Sequence, residues 1–270
     1  MNSCKICNGT TTQIFSKIIL KKYSANYYKC NNCGFVQTSE PVWLKEAYDS
    51  AITSLDIGLL QRNIQFSSDI SSIIDACFPE AKIMLDYAGG YGVFTRLMRD
   101  LGYHFYRQDP YCENLFSKYF DITDIKNKTF DVVTAFEVFE HFADPLTEID
   151  KLSAYSENII FSTVLTPKTN QEIENWWYIS EETGQHVAFY SAGALEFIAK
   201  KMGKNYYSKN GNMHLFTSKK LSTKQIDYAF KNKRHNQYLF GLIKQKIQFH
   251  VQRESLLETD LNHIKTIISS

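Results

Sequence analysis

The chain has 270 residues, of which 44% are hydrophobic, 14% aromatic and 22% charged. That is enough apolar material for one large domain with a small appendage, and it excludes a chain that is mostly disordered. Lys and Arg number 30 against 29 Asp and Glu, a formal net charge of +1, so no global field draws the protein to nucleic acid.

No run approaches the roughly 20 apolar residues of a membrane-spanning helix. The start, Met1-Asn2-Ser3-Cys4-Lys5-Ile6-Cys7, lacks the basic and apolar regions of a secretory leader. The expectation is a cytoplasmic protein with reduced thiols and no membrane span.

Four of the six cysteines form two pairs, Cys4-x-x-Cys7 and Cys30-x-x-Cys33, with 22 residues between them. Each pair puts two thiolates on one tight turn, and two such turns supply a closed tetrahedral zinc shell. Gly9 and Gly34 are expected to relieve those turns, so that backbone N–H groups point at sulfur. With strand-like Gln13–Ser16 and Tyr27–Lys29 between the pairs, residues 1–40 read as a zinc ribbon. Full coordination by sulfur makes the metal structural. Cys77 and Cys112 lack partners at ligand spacing and read as small buried hydrophobes.

Residues 41–80 read as a mainly helical connector. Lys82–Tyr87 is an apolar strand ending near Asp86, followed by the turn Ala88-Gly89-Gly90-Tyr91-Gly92 and a helix from Val93. Further strands are expected at His104–Gln108, Asp131–Phe136 and Asn158–Thr163, with an acid-marked edge at Phe120-Asp121-Ile122. Asp144-Pro145 caps the helix before Asn158, and Ser191–Met202 is a capped helix ended by Gly203. Tyr206–Ser208 and Met213–Phe216 are joined by the turn Asn210-Gly211. The alternation implies an α/β fold: a Rossmann-like, doubly wound, mostly parallel sheet over 81–220 with an antiparallel terminal hairpin.

Residues 221–270 read as a basic helical tail. Leu239, Ile243, Ile247, Leu257, Leu261, Ile264 and Ile268 recur at helical intervals. Lys219, Lys220, Lys224, Lys231, Lys233, Arg234, Lys244, Lys246 and Arg253 face one acid, Asp227. Such a tail fits packing on the domain, contact with an anionic substrate, or a homodimer formed through its helices.

A glycine turn after a first strand lets backbone approach a ligand at a helix N-terminus. Gly90-x-Gly92-x-x-Thr95 lacks the third glycine of a dinucleotide fingerprint, and no Walker lysine follows. Asp86-x-Ala88-Gly89-Gly90-Tyr91-Gly92 instead resembles motif I of class I S-adenosylmethionine-dependent methyltransferases, (D/E)-x-G-x-G-x-G, with Ala88 at the first glycine. Phe130–His141 resembles that family's fourth motif, F-D-x-V-x-x-x-x-V-x-E-H. The resemblance covers roughly residues 75–218.

It implies S-adenosylmethionine as cofactor, held by Tyr87, Ala88, Gly89, Gly90 and Gly92, by Asp109 and Pro110 at the ribose, by Asp121 and Ile122 at the adenine, and by Phe136 and Glu137. The N–H groups and dipole of the helix after Gly92 suit the cofactor's carboxylate, and an Asp109 carboxylate can accept from ribose hydroxyls.

The ribbon and the segment Gly184-Gln185-His186 together resemble a narrower group, bacterial methyltransferases of sugar and surface-polysaccharide synthesis. This implies a small-molecule sugar or sugar-phosphate-type acceptor from capsule biosynthesis, and no nucleic-acid partner. Trp176-Trp177-Tyr178 follows the fifth strand and suits acceptor contact, with Trp177 and Tyr178 the candidates beside Arg62.

A neutral acceptor needs a base, and His186 and His141 are the candidates, with Glu140 orienting one of them or acting itself. A phosphate-type oxygen would need only Arg or Lys to position it. Sugar C-methyltransferases carry a further C-terminal domain where this chain ends at Ser270, so O-methylation is expected, with C-methylation of a nucleotide-linked ketosugar as the alternative. An NAD-dependent oxidoreductase and a non-enzymatic zinc-ribbon adaptor or nucleic-acid binder are the competing classes.

Overall fold

The computed structural model describes residues 3–49, 52–126, 128–230 and 251–269. The cysteine segment folds as the antiparallel strands β1 (Thr11–Ile19), β2 (Tyr23–Cys30) and β3 (Val36–Thr38). Leu20 and Lys21 join β1 to β2 with φ values of 53° and 55°. Two left-handed residues match the twist of a tight hairpin, and neither is the Asn or Gly that would announce it.

The helices α1 (Leu44–Ala47) and α2 (Leu59–Cys77) follow, so the connector is less continuously helical than its composition suggests. Then come β4 (Met84–Tyr87), α3 (Val93–Asp100), β5 (Phe105–Gln108), β6 (Val132–Ala135), α4 (Pro145–Tyr155), β7 (Asn158–Ser162), α5 (Asn170–Glu174), β8 (Ala188–Phe189), α6 (Ala192–Lys201), β9 (Asn205–Lys209) and β10 (Met213–Thr217). The last described helices are α7 (Thr223–Phe230) and α8 (Leu257–Ile268). Asp144 and Ser191 cap α4 and α6 as expected, accepting from Thr147 N and Ala194 N.

The large sheet has the order β5-β4-β6-β7-β10-β9. β5, β4, β6 and β7 are parallel, and β10 runs antiparallel to both β7 and β9. Its inner strands β4, β6, β7 and β10 are buried on both faces, so they read as continuous apolar runs. Met84, Val132, Ile160 and Leu215 pack with Ile70, Ile74 and Met98 of α2 and α3. Leu85, Val133, Ile159 and Phe216 point the other way, onto Ile149, Leu152, Leu195 and Ile198 of α4 and α6. The order reverses between β4 and β6, and ligands of such sheets bind beyond the strand C-termini at that reversal.

Phe120-Asp121-Ile122 does not form a strand. It contributes a single parallel bridge, Arg107↔Asp121, because Asp121 turns at once into a 3₁₀ segment closed by Asp124. Cys77 is buried as expected, whereas Cys112 is half-exposed.

The small sheet has the order β1-β2-β3-β8. β8 comes from far along the chain and pairs Phe189 with Val36 and Ala188 with Gln37. Phe15, Tyr27, Val36 and Trp43 thus pack on Tyr178, Ile179, Val187 and Phe189. Trp43 Nε1 donates to the Gly184 carbonyl at 2.8 Å.

Of the tail, Leu239, Ile243, Ile247 and the cations from Lys231 to Lys246 lie outside the described residues. α8 docks through a charge: buried Asp260 accepts from Arg99 Nε at 2.8 Å and Nη2 at 2.6 Å. Leu257, Leu261 and Ile268, expected on its packing face, are exposed.

Candidate active site and cysteine cluster

The loop after β4 is a succession of left-handed turns, with φ of 54° at Ala88, 53° at Gly90 and 84° at Gly92. Alanine at the first of these costs roughly 1 kcal/mol or more relative to an unstrained residue. A Cβ on Gly89 would stand 2.5 Å from Asp86 Oδ2, and one on Gly92 2.3 Å from Ser117 Oγ. These glycines therefore admit the protein's own side chains as well as a ligand.

Asp86 lies buried under the loop, accepting from Thr134 Oγ1 at 3.0 Å and Thr95 Oγ1 at 3.2 Å. Burial nonetheless pushes its carboxyl up to about 7, an effect that these two hydrogen bonds only partly offset.

Asp109 turns back onto the loop. Its Oδ2 accepts from Gly90 N at 2.9 Å, and its Oδ1 from Tyr111 N at 2.8 Å and Cys112 N at 3.0 Å. A carboxylate has about four acceptor sites, so roughly one remains for a ribose hydroxyl in this arrangement, rather than two. Arg107, which nothing in the sequence singled out, holds the following peptide of the same glycine by donating to the Gly90 carbonyl. It also binds Cys112 O at 3.1 Å and Asp121 Oδ1 at 2.7 Å. Asp121 further accepts from Asn114 Nδ2 at 3.1 Å, so a purine amine would share a committed carboxylate. Ile122 packs against the core beneath, Pro110 is exposed, and the Tyr87 ring leans on Tyr155.

Beyond β6, the Phe136 ring sits 4.6 Å from Phe66 and 4.9 Å from Phe94. Glu137, with φ of 53°, is pinned to β7: its N donates to Ser162 Oγ at 2.7 Å, and Ser162 Oγ donates to its Oε1 at 2.6 Å. A 3₁₀ turn then presents Glu140 and His141. His186 arrives from the segment that becomes β8, whose Val187 N donates to the Glu140 carbonyl at 2.8 Å. Donor atoms of Glu140, His141 and His186 lie within 4.8 Å of one another. The three candidates for the chemistry are thus brought together.

The imidazoles cross at 84° with centroids 5.0 Å apart. His186 Nδ1 lies 2.6 Å from the Tyr178 carbonyl. A carbonyl only accepts, so Nδ1 carries the proton and Nε2 keeps its lone pair. His141 Nδ1 shares a 2.9 Å hydrogen bond with Tyr48 Oη, and the Tyr48 ring stacks on Tyr111 at 6.2 Å. That contact links the histidines to the Asp109 turn.

Burial pushes His141 down to about 3, with His186 adding to the effect, and burial pushes His186 down to about 4. Glu140 is 0% exposed, and neither of its carboxylate oxygens has a hydrogen-bond partner. Burial and then the neighbouring Glu137 drive its carboxyl well above the ordinary range. The hydroxyls of Tyr178 and Thr163 and the residue's own backbone N–H stand close enough to ease this, and the two hydroxyls also engage each other at 3.4 Å.

The three acceptor candidates separate. Arg62 is paired with Asp56 at 2.7 Å, Tyr178 is buried behind the histidines, and Trp177 is 76% exposed. A cavity of about 410 Å³ among Phe78, Asp131, Tyr155 and Lys219 lies at the opposite, N-terminal ends of β4, β6 and β7 and is unrelated to these residues.

The four cysteine sulfurs lie within 4.8 Å of one another, with Cys4–Cys33 at 3.6 Å and Cys7–Cys30 at 3.4 Å. Thiolates around one zinc ion stand about 3.8 Å apart, so the set fits a metal. The two turns repeat each other. Asn8 N donates to Cys4 O and Gly34 N to Cys30 O, while Cys4 N reaches Gly9 O and Cys30 N reaches Phe35 O. Ile6 N and Asn32 N each point at the sulfur two residues back, at 3.4 Å.

The left-handed position is Asn8 in the first turn and Gly34 in the second. The expected role of Gly9 therefore belongs to Asn8, whose side chain tolerates that conformation. Gly9 is needed for space instead: its Cβ would meet Asn32 Nδ2 at 2.6 Å.

A family model described as a methyltransferase domain matches residues 60–209. The chain belongs to this family, and its domain is that of an S-adenosylmethionine-dependent methyltransferase. No curated protein matches the sequence.

Similar solved structures include TnmH, with 16% identity and a TM-score of 0.45 over 66% of this chain and 62% of that one. They include magnesium protoporphyrin IX methyltransferase from Synechocystis PCC 6803 with bound SAH, with 12% identity, a TM-score of 0.42, and 64% and 90% of the two chains covered. The plantazolicin methyltransferase BpumL, in complex with a monoazolic desmethylPZN analog and SAH, has 12% identity and a TM-score of 0.44, with 66% and 93% covered. The chain thus spans less than two thirds of TnmH, and at these scores the likenesses carry nothing about the acceptor.

Proposed function

We propose that the protein transfers the methyl group of S-adenosylmethionine to an oxygen of a small acceptor, a sugar or a sugar-borne phosphate-type group of bacterial surface-polysaccharide synthesis. The observation that carries this reading is the meeting of Glu140, His141 and His186 beyond the strand C-termini, joined to the Asp109 turn through Tyr48 and Tyr111. The Gly89–Gly92 turn would hold the cofactor, with Asp109 accepting from a ribose hydroxyl and the N–H groups at the start of α3 receiving its carboxylate. The sulfonium carries the reactive methyl group. Transfer is an in-line displacement, and alignment alone is worth on the order of 7–11 kcal/mol.

The acceptor hydroxyl enters opposite the sulfonium, beside the Glu–His–His set, which relieves it of its proton. Exposed Trp177 at the rim offers an aromatic face to a sugar ring. Zinc occupies the four-cysteine shell and does not react, since four thiolates leave no open position. Residues 1–40, 41–80, 81–220 and 221–270 serve as ribbon, connector, catalytic domain and tail, the tail helices being the candidate contact of a homodimer.

The test has two arms. Calorimetry should show S-adenosylmethionine binding that Asp109→Ala weakens at least about tenfold, the value of a lost hydrogen bond to a charged group, with zinc content unchanged. Labelled methyl transfer to nucleotide sugars and sugar phosphates should fall in His186→Ala more than cofactor affinity does. Wild-type affinity in Asp109→Ala removes the ribose assignment, and unchanged turnover in His186→Ala removes the histidine. A methyl group found on carbon in the product would move the reaction to C-methylation.

A further inference from the structure

Glu140 is the one fully buried carboxylate among the described residues whose two oxygens both lack a hydrogen-bond partner. Buried carboxylates are ordinarily paired or coordinated to a metal. No cation among the described residues pairs with it: Arg62, whose charge it feels, is spent on Asp56 at 2.7 Å. What stands beside Glu140 is two imidazoles, with donor atoms of all three groups inside 4.8 Å.

One imidazole is already oriented as a ligand is. His186 gives its Nδ1 proton to the Tyr178 carbonyl at 2.6 Å, which fixes the tautomer and aims the Nε2 lone pair, the usual outer support of a metal-bound histidine. The ring of His141 is held in place by the 2.9 Å hydrogen bond that its Nδ1 shares with Tyr48 Oη. The backbone also ties the two halves together, because Val187, next to His186, donates to the carbonyl of Glu140.

We propose that Glu140, His141 and His186 form a second metal site, one that takes a first-row divalent cation and, through it, the acceptor's hydroxyl oxygen. Two imidazoles and a carboxylate are a nitrogen–oxygen donor set suited to Mn²⁺, Fe²⁺, Co²⁺ or Zn²⁺. Ligands about 2.1 Å from such an ion stand about 3–3.5 Å apart, so the set closes by a small contraction. Three protein ligands leave positions open, as catalytic metal sites do.

With the cation bound, the set acts through it instead of taking the proton itself: the acceptor hydroxyl takes one of those positions, and the cation lowers its pKa so that the proton passes to water. The oxygen lone pair then forms the O–CH₃ bond as the CH₃–S bond breaks, and the electron pair of that bond neutralises the sulfonium. The role in catalysis rests on the proposed methyl transfer; the binding of the cation does not.

The experiment uses the full chain with zinc retained on its cysteines. Mn²⁺ is titrated by electron paramagnetic resonance, and Co²⁺ by its visible ligand-field bands, where the absence of thiolate charge transfer distinguishes this site from the cysteine shell. One ion per chain is expected, accompanied by a rise in Tm. Glu140→Gln and His186→Asn should each weaken binding at least about tenfold, while zinc content and S-adenosylmethionine affinity hold and so report an intact fold.

Failure of both Mn²⁺ and Co²⁺ to bind saturably to folded protein overturns the site, as does equal binding by the two variants. Loss of S-adenosylmethionine binding in the wild type would sink the methyltransferase reading alone, since the metal titration is read without it.

Discussion

Cys4, Cys7, Cys30 and Cys33 meet on two turns of the same construction, with Cys4 and Cys33 separated by 29 positions. Glu140, His141 and His186 meet only because a later segment crosses to the small sheet and becomes β8. The first cluster is closed, its sulfurs receiving backbone N–H groups at 3.4 Å. The second is open and leaves a buried carboxylate without a partner. A closed shell built from local turns is a device for stability. An open shell built from distant segments is costly to keep, and that cost supports the proposal of a working site there.

The largest effect should come from the closed cluster. With zinc on these thiolates as proposed, Cys30→Ser or chelation should lower stability by on the order of 5 kcal/mol, because metal affinity is folding energy in such units. Zinc content and thermal unfolding check this. Since β3 pairs with β8, the loss should also loosen His186. A variant with normal Tm and an unmoved His186 resonance would break the link between the two clusters.

A second expectation compares Glu140 with a buried carboxyl that does have partners. Asp86 holds its proton up to about 7 in the folded chain, against an ordinary value of 3.8. The unfolded chain is ionised above roughly pH 4 while the folded one still binds a proton, so this group's contribution to stability falls as pH rises from about 4 to about 7. The slope is about 1.4 kcal/mol per pH unit, and it levels off above the folded value. Asp86→Asn should lack that slope. Urea titrations of both proteins at several pH values give the difference, and parallel curves would refute the assignment.

Smaller and of opposite sign, Glu140→Met should stabilise the protein freed of any second metal by about 1–3 kcal/mol, because it removes an unpaired buried acid at similar volume. The same change should abolish methyl transfer. A destabilised variant would mean that Glu140 already has a partner. Ala88→Gly should have the smallest effect, about 1 kcal/mol or less in either direction. It relieves a left-handed alanine at φ 54° while adding freedom to the unfolded chain. A loss well beyond that in thermal unfolding would show that the Ala88 methyl packs usefully.

The sequence made legible what is local. Cysteine spacing, the glycine turn after β4, the caps Asp144 and Ser191, and the Asn210-Gly211 turn each depend on a few adjacent residues, and each stands where it was expected. The sheet alternation was readable because continuous apolar runs and helical periods differ in kind.

What stayed hidden is tertiary. Arg107 looks like any charged residue on a short strand until its guanidinium is found under the Gly90 peptide. Tyr48 carries no motif, yet it joins His141 to the Asp109 turn. The β1–β2 hairpin turns on Leu20 and Lys21, which carry no turn signature. His141 and His186 could be named as candidates, but their meeting across Glu140 depends on β8, a strand of two residues.

β8 also fixes an order of events during synthesis. The ribosome releases β1, β2 and both cysteine turns early, and those parts pair among themselves. Yet Val36 waits for Phe189 and Gln37 for Ala188, so the exposed edge of β3 stays open until most of the catalytic domain has emerged. An unpaired edge is a hazard for misassociation, and here its closure also delivers His186 to Glu140. The pairing that covers the β3 edge is therefore the same one that assembles the proposed reactive centre.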